Sequence, residues 1–569
     1  MKDKYNISFH GSHNGGVVVE KNGEILVVLE FERFFNIKNM GIAQYKTHRY
    51  PTNMFFEVLN WIKKKYGVNE YENCYFSSAD FVGELKSENP EQKEIRYNNF
   101  YLTKYVNAKN IIHGTHHESH ANGCFYQSPY QKSLIFSFDG GGDDGEFNVY
   151  IGDKDEGVTL IERVINPTIN HHQIYYNLGF AYMIFANYCI DISPDDLGNG
   201  NLVWPGKIMG LSPYGNVIEE WLEPFIEFYK SDPDGGNNDY INKLKILSEK
   251  TGLIFDVNNK LSGQTEYDMA ATSQKAFEEC FLEVAKPYFE KYPDLPICMA
   301  GGCSLNIILN TRIKFEFNKE VFVGPNPNDC GIAVGNMLKH MKPKTPIDLT
   351  YAGLPILDEE VLCEYLSHHT FLHGVYHHKK IMNYDSNYHF TEQIEFNDVI
   401  DDIINGKIVG IVQGNSEHGP RALGNRSIIC NPMIPEMKDI LNFKVKNREW
   451  FRPFAPIVRL EDVSEYFIFS GESRWMSFSP KVKPEWREKL PSITHVDGTA
   501  RVQTITREQN KLLYDIITLI KEKTGVGVLL NTSFNVNGKP ILSTYKDAFE
   551  IFHTTKLDSL IIKDLYIHK

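Results

Sequence analysis

The first 61 residues alternate short apolar runs with polar, glycine-rich turns, and this pattern constrains the fold more than any other feature. The apolar runs occupy residues 7–9, 17–19 and 25–29. Asn22 and Gly23 separate the second run from the third, and this pair is typical of two-residue hairpin turns. Apolar residues then recur at helical spacing over residues 51–61. The sequence therefore predicts a strand meander followed by a helix, which is an opening of an α/β domain.

The same order of elements is expected at the start of one half of an actin-like ATPase fold.

A proline-containing break at residues 342–346 ends a helical pattern, because proline cannot continue a helix. An apolar run resumes at residues 408–412. We therefore expect two domains, residues 1–350 and residues 351–569.

A histidine-rich segment follows the predicted boundary. Its members are His368, His369, His373, His377, His378 and His389. A metal-binding tract and a polar segment between domains both fit these residues. The irregular spacing and the lack of interleaved acidic or thiolate ligands favour the polar segment.

Charge and composition exclude several classes of function. Fifty-nine basic and 73 acidic residues give a net charge of −14, and no block rich in Lys and Arg is present. Nucleic-acid backbones and anionic membranes are bound by clustered cations, so we expect neither a polymeric nucleic acid nor a membrane as partner. No spanning run of about 20 apolar residues occurs, and no signal peptide is expected. Nine cysteines without a C-x-x-C pair favour a reducing compartment, the cytoplasm.

A pair of histidines and a following acidic strand end form the sharpest local motif. His116 and His120 are four residues apart, which on a helix places both imidazoles on one face, about 6 Å apart. Asp139 ends an apolar strand pattern and is followed by three glycines. Two imidazoles and a carboxylate can hold a metal ion with open positions for a ligand. A surface helix is the alternative for the histidine pair alone.

Two further motifs suggest a nucleotide or metal site. Gly301 and Gly302 follow an apolar strand pattern and precede a helical one, so the backbone can approach a nucleotide closely. On its own, a glycine pair between a strand and a helix forms a tight turn more often than a nucleotide site. Asp329 precedes the helical pattern of residues 332–340, where it could cap the helix or serve as a fourth metal ligand.

The C-terminal domain contains polar clusters at residues 417–427, 446–456 and 528–538. Arginine supplies bidentate contacts to phosphate and lysine supplies a point charge. The domain is not basic overall, so these cations suit a small phosphorylated ligand. The alternative is that these clusters are solvated loops with ion pairs. That alternative is plausible for any one cluster but explains all three together poorly.

These motifs together resemble the O-carbamoyltransferases of the NodU/CmcH type over nearly the whole chain. The resemblance is most specific in Gly-Pro-Arg-Ala-Leu-Gly-Asn-Arg-Ser at residues 419–427 and in Asn-Thr-Ser-Phe-Asn at residues 531–535. It implies an α/β chain with a TsaD-like first domain of the actin/Hsp70-type ATPase fold. The second domain would be YrdC-like, with Lys446-x-Arg448 and Thr532-Ser533-x-Asn535 as matching elements.

The resemblance also implies a reaction. Carbamoyl phosphate and ATP would form carbamoyl-adenylate in the second domain, and the first domain would transfer the carbamoyl group to a hydroxyl of a small-molecule acceptor. A divalent ion, iron in the family, would be held by His116, His120, Asp139 and Asp329. Asp139 is the implied general base, and His10 is a second candidate or an acceptor contact. The residues implied to bind nucleotide or carbamoyl phosphate are Lys38, Gly301, Gly302, Asn306, Arg421, Lys446, Arg452, Arg501, Asn531 and Ser533.

Other functions stay open at this stage. A tRNA threonylcarbamoyladenosine-type enzyme would need a basic surface, which the net charge of −14 disfavours. Hydrogenase maturation enzymes of related chemistry carry zinc-finger modules, whereas this sequence has no C-x-x-C pair. A non-catalytic nucleotide-binding protein would not need the complete ligand set. A homodimer is a candidate assembly. The acceptor could be an antibiotic, a sugar or a modified nucleobase.

Overall fold

The computed structural model describes residues 3–42, 51–77, 102–164, 178–192, 200–230, 237–360, 369–372, 375–378, 387–391 and 396–569. The chain divides into two compact units. The first unit comprises Met1–Glu32 and Ile37–Leu349, and the second comprises Arg33–Asn36 and Thr350–Lys569. Strands and helices are mixed in both units, which confirms the predicted α/β class.

The strands of the first unit form two sheets of five strands each within the described ranges. The first sheet contains β1 (Tyr5–His10), β2 (Gly16–Lys21), β3 (Glu24–Glu30), β4 (Tyr71–Ser77) and β5 (Ala108–His113). The second contains β6 (Lys132–Gly142), β7 (Gly145–Asp153), β8 (Gly157–Arg163), β9 (Ile297–Ala300) and β10 (Val321–Phe322).

The two sheets share one topology. Their strand orders are β3-β2-β1-β4-β5 and β10-β9-β6-β7-β8. In each sheet the first strand pairs with an antiparallel meander on one side and with a parallel strand on the other. This repeated arrangement is the actin-like architecture that the N-terminal pattern predicts. The predicted hairpin is also confirmed, with positive φ angles of 52° at Asn22 and 94° at Gly23.

Helices connect these strands and cover the sheets. They are α1 (Phe31–Phe35), α2 (Pro51–Tyr66), α3 (His116–Gln127), α4 (Leu178–Ile184), α5 (Trp204–Leu211), α6 (Glu219–Lys230), α7 (Asn237–Thr251), α8 (Gly263–Lys291), α9 (Ile307–Glu316) and α10 (Ile332–Met341). The predicted helix over residues 51–61 is α2, whose inward residues Met54, Phe55 and Val58 are fully buried. No helix in the described ranges combines the length and apolarity needed to cross a bilayer.

A single sheet of ten described strands organises the second unit. Its strands are β11 (His369–Leu372), β12 (Val375–His378), β13 (Asn387–Thr391), β14 (Val409–Val412), β15 (Arg426–Cys430), β16 (Ala455–Arg459), β17 (Gln503–Ile505), β18 (Val528–Ser533), β19 (Ser559–Ile562) and β20 (Leu565–His568). Their order is β11-β12-β13-β20-β19-β14-β15-β18-β16-β17. The predicted apolar run at 408–412 therefore forms a central strand.

The helices of the second unit pack beside this sheet. They are α11 (Phe396–Ile404), α12 (Met437–Asp439), α13 (Val463–Tyr466), α14 (Pro484–Arg487), α15 (Lys511–Thr524) and α16 (Tyr545–Thr554), and a π-helix at Ile440–Lys446 continues α12. The core joins the apolar faces of α11 and α15 to the sheet through residues such as Ile403, Ile411 and Ile517.

The histidine-rich segment is only partly described. His369 lies in β11, His377 and His378 lie in β12, and His389 lies in β13. His368 and His373 lie outside the described residues. The favoured interpretation as a polar segment between domains and the metal-tract alternative therefore both stay predictions.

Candidate functional site

Four side chains from three separate parts of the first unit converge on one point. His116 and His120 come from the first two turns of α3, Asp139 from β6, and Asp329 from the short 3-10 turn before α10. One ligand atom from each lies within 4.8 Å of all the others. The predicted ligand set is therefore assembled in space.

Distances within this cluster are short. The two imidazole Nε2 atoms of His116 and His120 are 3.2 Å apart. Nε2 of His120 lies 3.2 Å from Oδ2 of Asp139 and 3.4 Å from Oδ1 of Asp329. Nε2 of His116 lies 3.6 Å from the same oxygen of Asp329. Both rings thus point their Nε2 atoms at one pair of carboxylates.

A divalent cation fits this donor set. The side chains of His116 and His120 are 1% exposed, that of Asp329 is 4% exposed and that of Asp139 is 19% exposed. Within the described part of the chain, Oδ2 of Asp329 has no hydrogen-bond donor although it is buried. Buried imidazoles and carboxylates that face one point are suited to zinc, iron or manganese. The more exposed Asp139 leaves one side of the cluster accessible.

Electrostatics keep the carboxylates ionised. Burial lowers the pKa of His116 to about 3, so this imidazole is neutral and its lone pair is available. Burial also disfavours charge on His120, but hydrogen bonds to Asp139 and Asp329 outweigh it and raise its pKa to about 9. Burial acts to raise the pKa of Asp329, yet the surrounding imidazoles hold it well below its usual value.

The start of α3 is fixed by the turn between β6 and β7. Oδ1 of Asp143 accepts a hydrogen bond from the backbone N–H of His116 at 2.8 Å. Asp144 accepts from the N–H groups of His117 at 2.7 Å and Glu118 at 3.1 Å. Carboxylates at a helix N-terminus satisfy its free N–H groups and complement its dipole. The acidic turn therefore holds the helix that carries two of the four converging side chains.

Close helix packing places Asp329 opposite the histidines. Gly123 of α3 meets Gly335 of α10, where a Cβ atom on Gly123 would lie 3.4 Å from the Cα atom of Gly335. A Cβ atom on Gly335 would lie 1.8 Å from the backbone oxygen of Ser119. The sequence analysis allowed Asp329 to be a helix cap. That alternative is wrong, because Asp329 makes no side-chain cap and α10 begins after Gly331.

Two more imidazoles approach Asp329. His10 is fully buried, its Nδ1 lies 3.3 Å from both the backbone oxygen and Oγ of Ser77, and its Nε2 lies 3.7 Å from Oδ2 of Asp329. His13 places its Nδ1 3.3 Å from the same Asp329 oxygen, and its side chain is 36% exposed. His13 was not among the residues predicted from the sequence. Its position three residues after His10, in the same glycine-rich turn, was the available signal.

The double glycine approaches the cluster through its backbone. The N–H of Gly302 donates to Oδ2 of Asp139 at 2.6 Å. Gly301 has a φ of +86°, and a Cβ atom there would lie 2.1 Å from the backbone oxygen of Phe138. Gly301 is therefore required to bring this turn against β6, and Gly302 contributes its backbone N–H to Asp139.

The side chain of Asn306 is already used by the fold. Its Oδ1 accepts from the N–H of Leu309, which caps α9, and its amide pairs with Gln274. Direct nucleotide contact by this side chain would compete with those bonds. Lys38 is half-buried in the turn after α1, and its link to a ligand stays a prediction.

A cluster of four arginines forms in the second unit: Arg421, Arg448, Arg452 and Arg501. Burial and the charge of Arg452 lower the pKa of Arg421 to about 10. Burial and two neighbouring arginines lower the pKa values of Arg448 and Arg501 well below the usual range. Glu449 is a nearby carboxylate, 3.5 Å from Arg452. This arrangement holds excess positive charge, which favours a bound anion such as phosphate.

Lys446 contacts the segment after β18, and its role in binding carbamoyl phosphate stays a prediction. Its Nζ contacts four oxygens: the backbone oxygen of Ser533 at 2.5 Å, Oγ of Ser533 at 3.2 Å, the backbone oxygen of Asn535 at 2.8 Å and Oδ1 of Asn535 at 2.6 Å. The ammonium group therefore secures the segment after β18. Asn531 donates to the backbone oxygen of Ala422 at 3.1 Å and to Oε1 of Gln503 at 2.6 Å. Asn531 therefore connects β18 to Ala422, next to Arg421, and to Gln503, two residues after Arg501.

The sequence matches two family models. One is described as the carbamoyltransferase N-terminus and matches residues 7–338. The other is described as the carbamoyltransferase C-terminus and matches residues 400–569.

Individual proteins are also similar to the chain. It is 33% identical to nodulation protein NolO of Bradyrhizobium diazoefficiens over 470 aligned residues. The aligned region covers 80% of this chain and 78% of that protein. The chain is 30% identical to 3′-hydroxymethylcephem-O-carbamoyltransferase of Streptomyces clavuligerus over 403 aligned residues. The aligned region covers 69% of this chain and 70% of that protein. Among solved structures, full-length HypF in a phosphate- and nucleotide-bound form aligns with a TM-score of 0.34 and 14% identity, over 60% of this chain and 56% of that one.

Proposed function

The chain belongs to the carbamoyltransferase family, and on this premise we propose that it is an ATP-dependent O-carbamoyltransferase. In this proposal the second unit forms carbamoyl-adenylate from carbamoyl phosphate and ATP. The first unit then transfers the carbamoyl group to a hydroxyl of a small-molecule acceptor. One relative is named as a carbamoyltransferase of a hydroxymethylcephem, and this name supports the proposal that the acceptor is a small hydroxylated molecule.

The arginine cluster is the observation that carries this proposal. Burial and the positive charge of Arg452 lower the pKa values of Arg421, Arg448 and Arg501, so these charges lie close enough to repel one another, and a bound anion would relieve that repulsion. Carbamoyl phosphate and the triphosphate of ATP are such ligands. Guanidinium groups would bind their phosphoryl oxygens in bidentate fashion and stabilise the charge that develops as phosphate leaves.

The activation step balances as follows. Water cleaves carbamoyl phosphate to carbamate and phosphate. A carbamate oxygen then forms a bond to the α-phosphorus of ATP while the bond from that phosphorus to the β-bridging oxygen breaks, and pyrophosphate leaves. Carbamate is a poor electrophile, whereas its mixed anhydride with AMP has a good leaving group. The clustered arginines would offset the negative charge of both phosphorylated reactants.

The transfer step is assigned to the first unit. A metal ion held by His116, His120, Asp139 and Asp329 would supply positive charge for the adenylate phosphate. The acceptor oxygen attacks the carbamoyl carbon, and AMP departs with the electron pair of the broken carbon–oxygen bond. Asp139 is the carboxylate of the set with solvent access, and we assign it to take the hydroxyl proton.

The neighbouring histidines have separate roles in this proposal. His10 is fully buried beside Ser77 and Asp329, so we assign it to lining the buried side of the cluster rather than to contact with the acceptor. His13 is about a third exposed and is a second proton acceptor.

Pyrophosphate release tests the proposal. The purified protein, loaded with Fe²⁺ or Mn²⁺, is incubated with ATP and with or without carbamoyl phosphate. We expect pyrophosphate to appear only when carbamoyl phosphate is present, because carbamate is the nucleophile. Equal release without carbamoyl phosphate, or none with it, would overturn the assignment.

A further inference from the structure

The loop between β14 and β15 is folded around one buried carboxylate. Glu417 is fully buried, and its Oε1 accepts three backbone hydrogen bonds. The donors are the N–H groups of Leu423 at 2.7 Å, Asn425 at 2.8 Å and Arg426 at 3.2 Å. A single side-chain oxygen therefore determines the path of residues 417–426, the segment that carries Arg421.

The same loop is also held from outside. Arg33 donates to the backbone oxygens of Glu417 and Gly419. Arg426 is fully buried and donates to the backbone oxygens of Gln413 at 2.5 Å and Gly414 at 2.9 Å. The two glycines of residues 417–426 turn the chain, with φ angles of +122° at Gly419 and +123° at Gly424. The guanidinium groups of Arg33 and Arg426 therefore stabilise the backbone of this loop.

Arg421 differs from those two arginines. Besides burial, the positive charge of Arg452 contributes to lowering the pKa of Arg421, and the charge of Arg421 contributes to lowering the pKa of Arg501. Like charges at this range repel, so an unrestrained loop would move Arg421 away from the cluster. The backbone restraint supplied by Glu417 opposes that movement.

We propose that Glu417 is a positioning residue that holds Arg421 in the anion site of the second unit. This inference rests on the proposed function, because carbamoyl phosphate is the anion used to measure it. Glu417 does not contact the ligand in this account. It acts through the three N–H groups that set the loop and hence the place of Arg421.

A double-mutant cycle separates positioning from general stabilisation. The variants are Glu417→Gln, Arg421→Ala and the two combined, assayed for the carbamoyl phosphate concentration that gives half-maximal pyrophosphate release. Glutamine keeps the side-chain size but offers one neutral oxygen in place of the carboxylate. We expect Glu417→Gln to raise that concentration about tenfold in the otherwise native protein and less than about twofold when Arg421 is already alanine.

A matched control removes a similar carboxylate elsewhere in the unit. Asp358 accepts from the N–H groups of Tyr545 at 2.6 Å and Lys546 at 3.1 Å, at the start of α16. We expect Asp358→Asn to lower the thermal midpoint without changing the carbamoyl phosphate requirement. If Glu417→Gln does not fold, Arg33→Lys provides the second variant. It loosens the outer hold on Gly419, and its effect should likewise vanish in the Arg421→Ala background.

The outcomes distinguish the two levels of inference. An equal effect of Glu417→Gln with and without Arg421 would overturn the positioning role while the proposed reaction stands. An unchanged half-saturating concentration in a folded Glu417→Gln protein would overturn it as well. Failure of the native protein to release pyrophosphate would instead overturn the proposed function.

Discussion

Residues of the same type have different roles in this protein, and their burial and hydrogen-bond partners show which role each one has. His117 lies beside His116 on α3, yet its Nδ1 contacts Oγ of Ser137 at 2.9 Å instead of joining the four ligands. Arg426 is bound to backbone oxygens, whereas Arg501 has no hydrogen-bond partner for its buried Nε in the described part of the chain. Residue identity alone does not predict this division.

The metal set is tested first by replacing one ligand. His120→Ala should lower affinity for Fe²⁺ or Mn²⁺ by more than about tenfold, because a donor facing two carboxylates is lost. Metal content after dialysis, measured by mass spectrometry, is the readout. His117→Asn is the control and should retain the ion. Equal retention by both variants would remove His120 from the set.

The arginine cluster predicts opposite effects on binding and stability. Arg501→Met should raise the half-saturating carbamoyl phosphate concentration by about tenfold or more, because a charged phosphate contact is lost. It should also raise the thermal midpoint, because a buried charge beside other arginines is costly.

Arg507 provides the control for this prediction. Its side chain is 52% exposed and pairs with Asp515, so Arg507→Met should alter stability by less than about 0.5 kcal/mol and leave the carbamoyl phosphate requirement unchanged. A destabilised Arg501→Met protein with native substrate affinity would show that the arginines stabilise the fold rather than bind an anion.

At the scale of elements, helix packing determines whether the four candidate metal ligands meet. α3 and α10 approach through Gly123 and Gly335, and a Cβ atom at Gly335 would fall 1.8 Å from a backbone oxygen of α3. Gly335→Ala should destabilise the protein by about 1–3 kcal/mol through overpacking and should weaken metal binding, because Asp329 precedes α10. Chemical denaturation and metal titration measure the two effects.

Gly206 in α5 is the matched control. A Cβ atom there meets no other atom within 4 Å. Gly206→Ala should therefore leave metal affinity unchanged and stabilise the protein by about 0.5–1 kcal/mol, as expected for alanine in a helix. Metal affinity that is unaffected by Gly335→Ala would contradict the packing argument.

Local elements were the more predictable part of the fold. The Asn22-Gly23 hairpin and α2 follow from turn chemistry and helical spacing, which act over a few residues. The partner of β6 was not predictable in this way, because its parallel neighbour β9 lies more than a hundred residues later. Such pairing depends on long-range packing that no local pattern encodes.

The site was predictable in part. The motifs and the resemblance selected His116, His120, Asp139 and Asp329, and these do converge. The contacts of Lys446 with four oxygens, the cap formed by Asn306 and the approach of His13 to Asp329 were not predictable. Each depends on segments that the fold brings together, and the sequence states only the residue type.

At the scale of the whole molecule, two chemically distinct centres occur in separate compact units. The first unit contains the metal-donor set and the second contains the arginine cluster. The account assigns activation to one and transfer to the other. A substitution in one centre should therefore leave the partial reaction of the other intact.

The most direct measurement of this division is carbamoyl-phosphate-dependent exchange of labelled pyrophosphate into ATP, without acceptor, in the native, His120→Ala and Arg501→Met proteins. We expect exchange within about threefold of native for His120→Ala, although this variant should no longer carbamoylate an acceptor. For Arg501→Met we expect a loss of about tenfold or more at subsaturating carbamoyl phosphate. Exchange abolished by His120→Ala, or unaffected by Arg501→Met, would contradict this division.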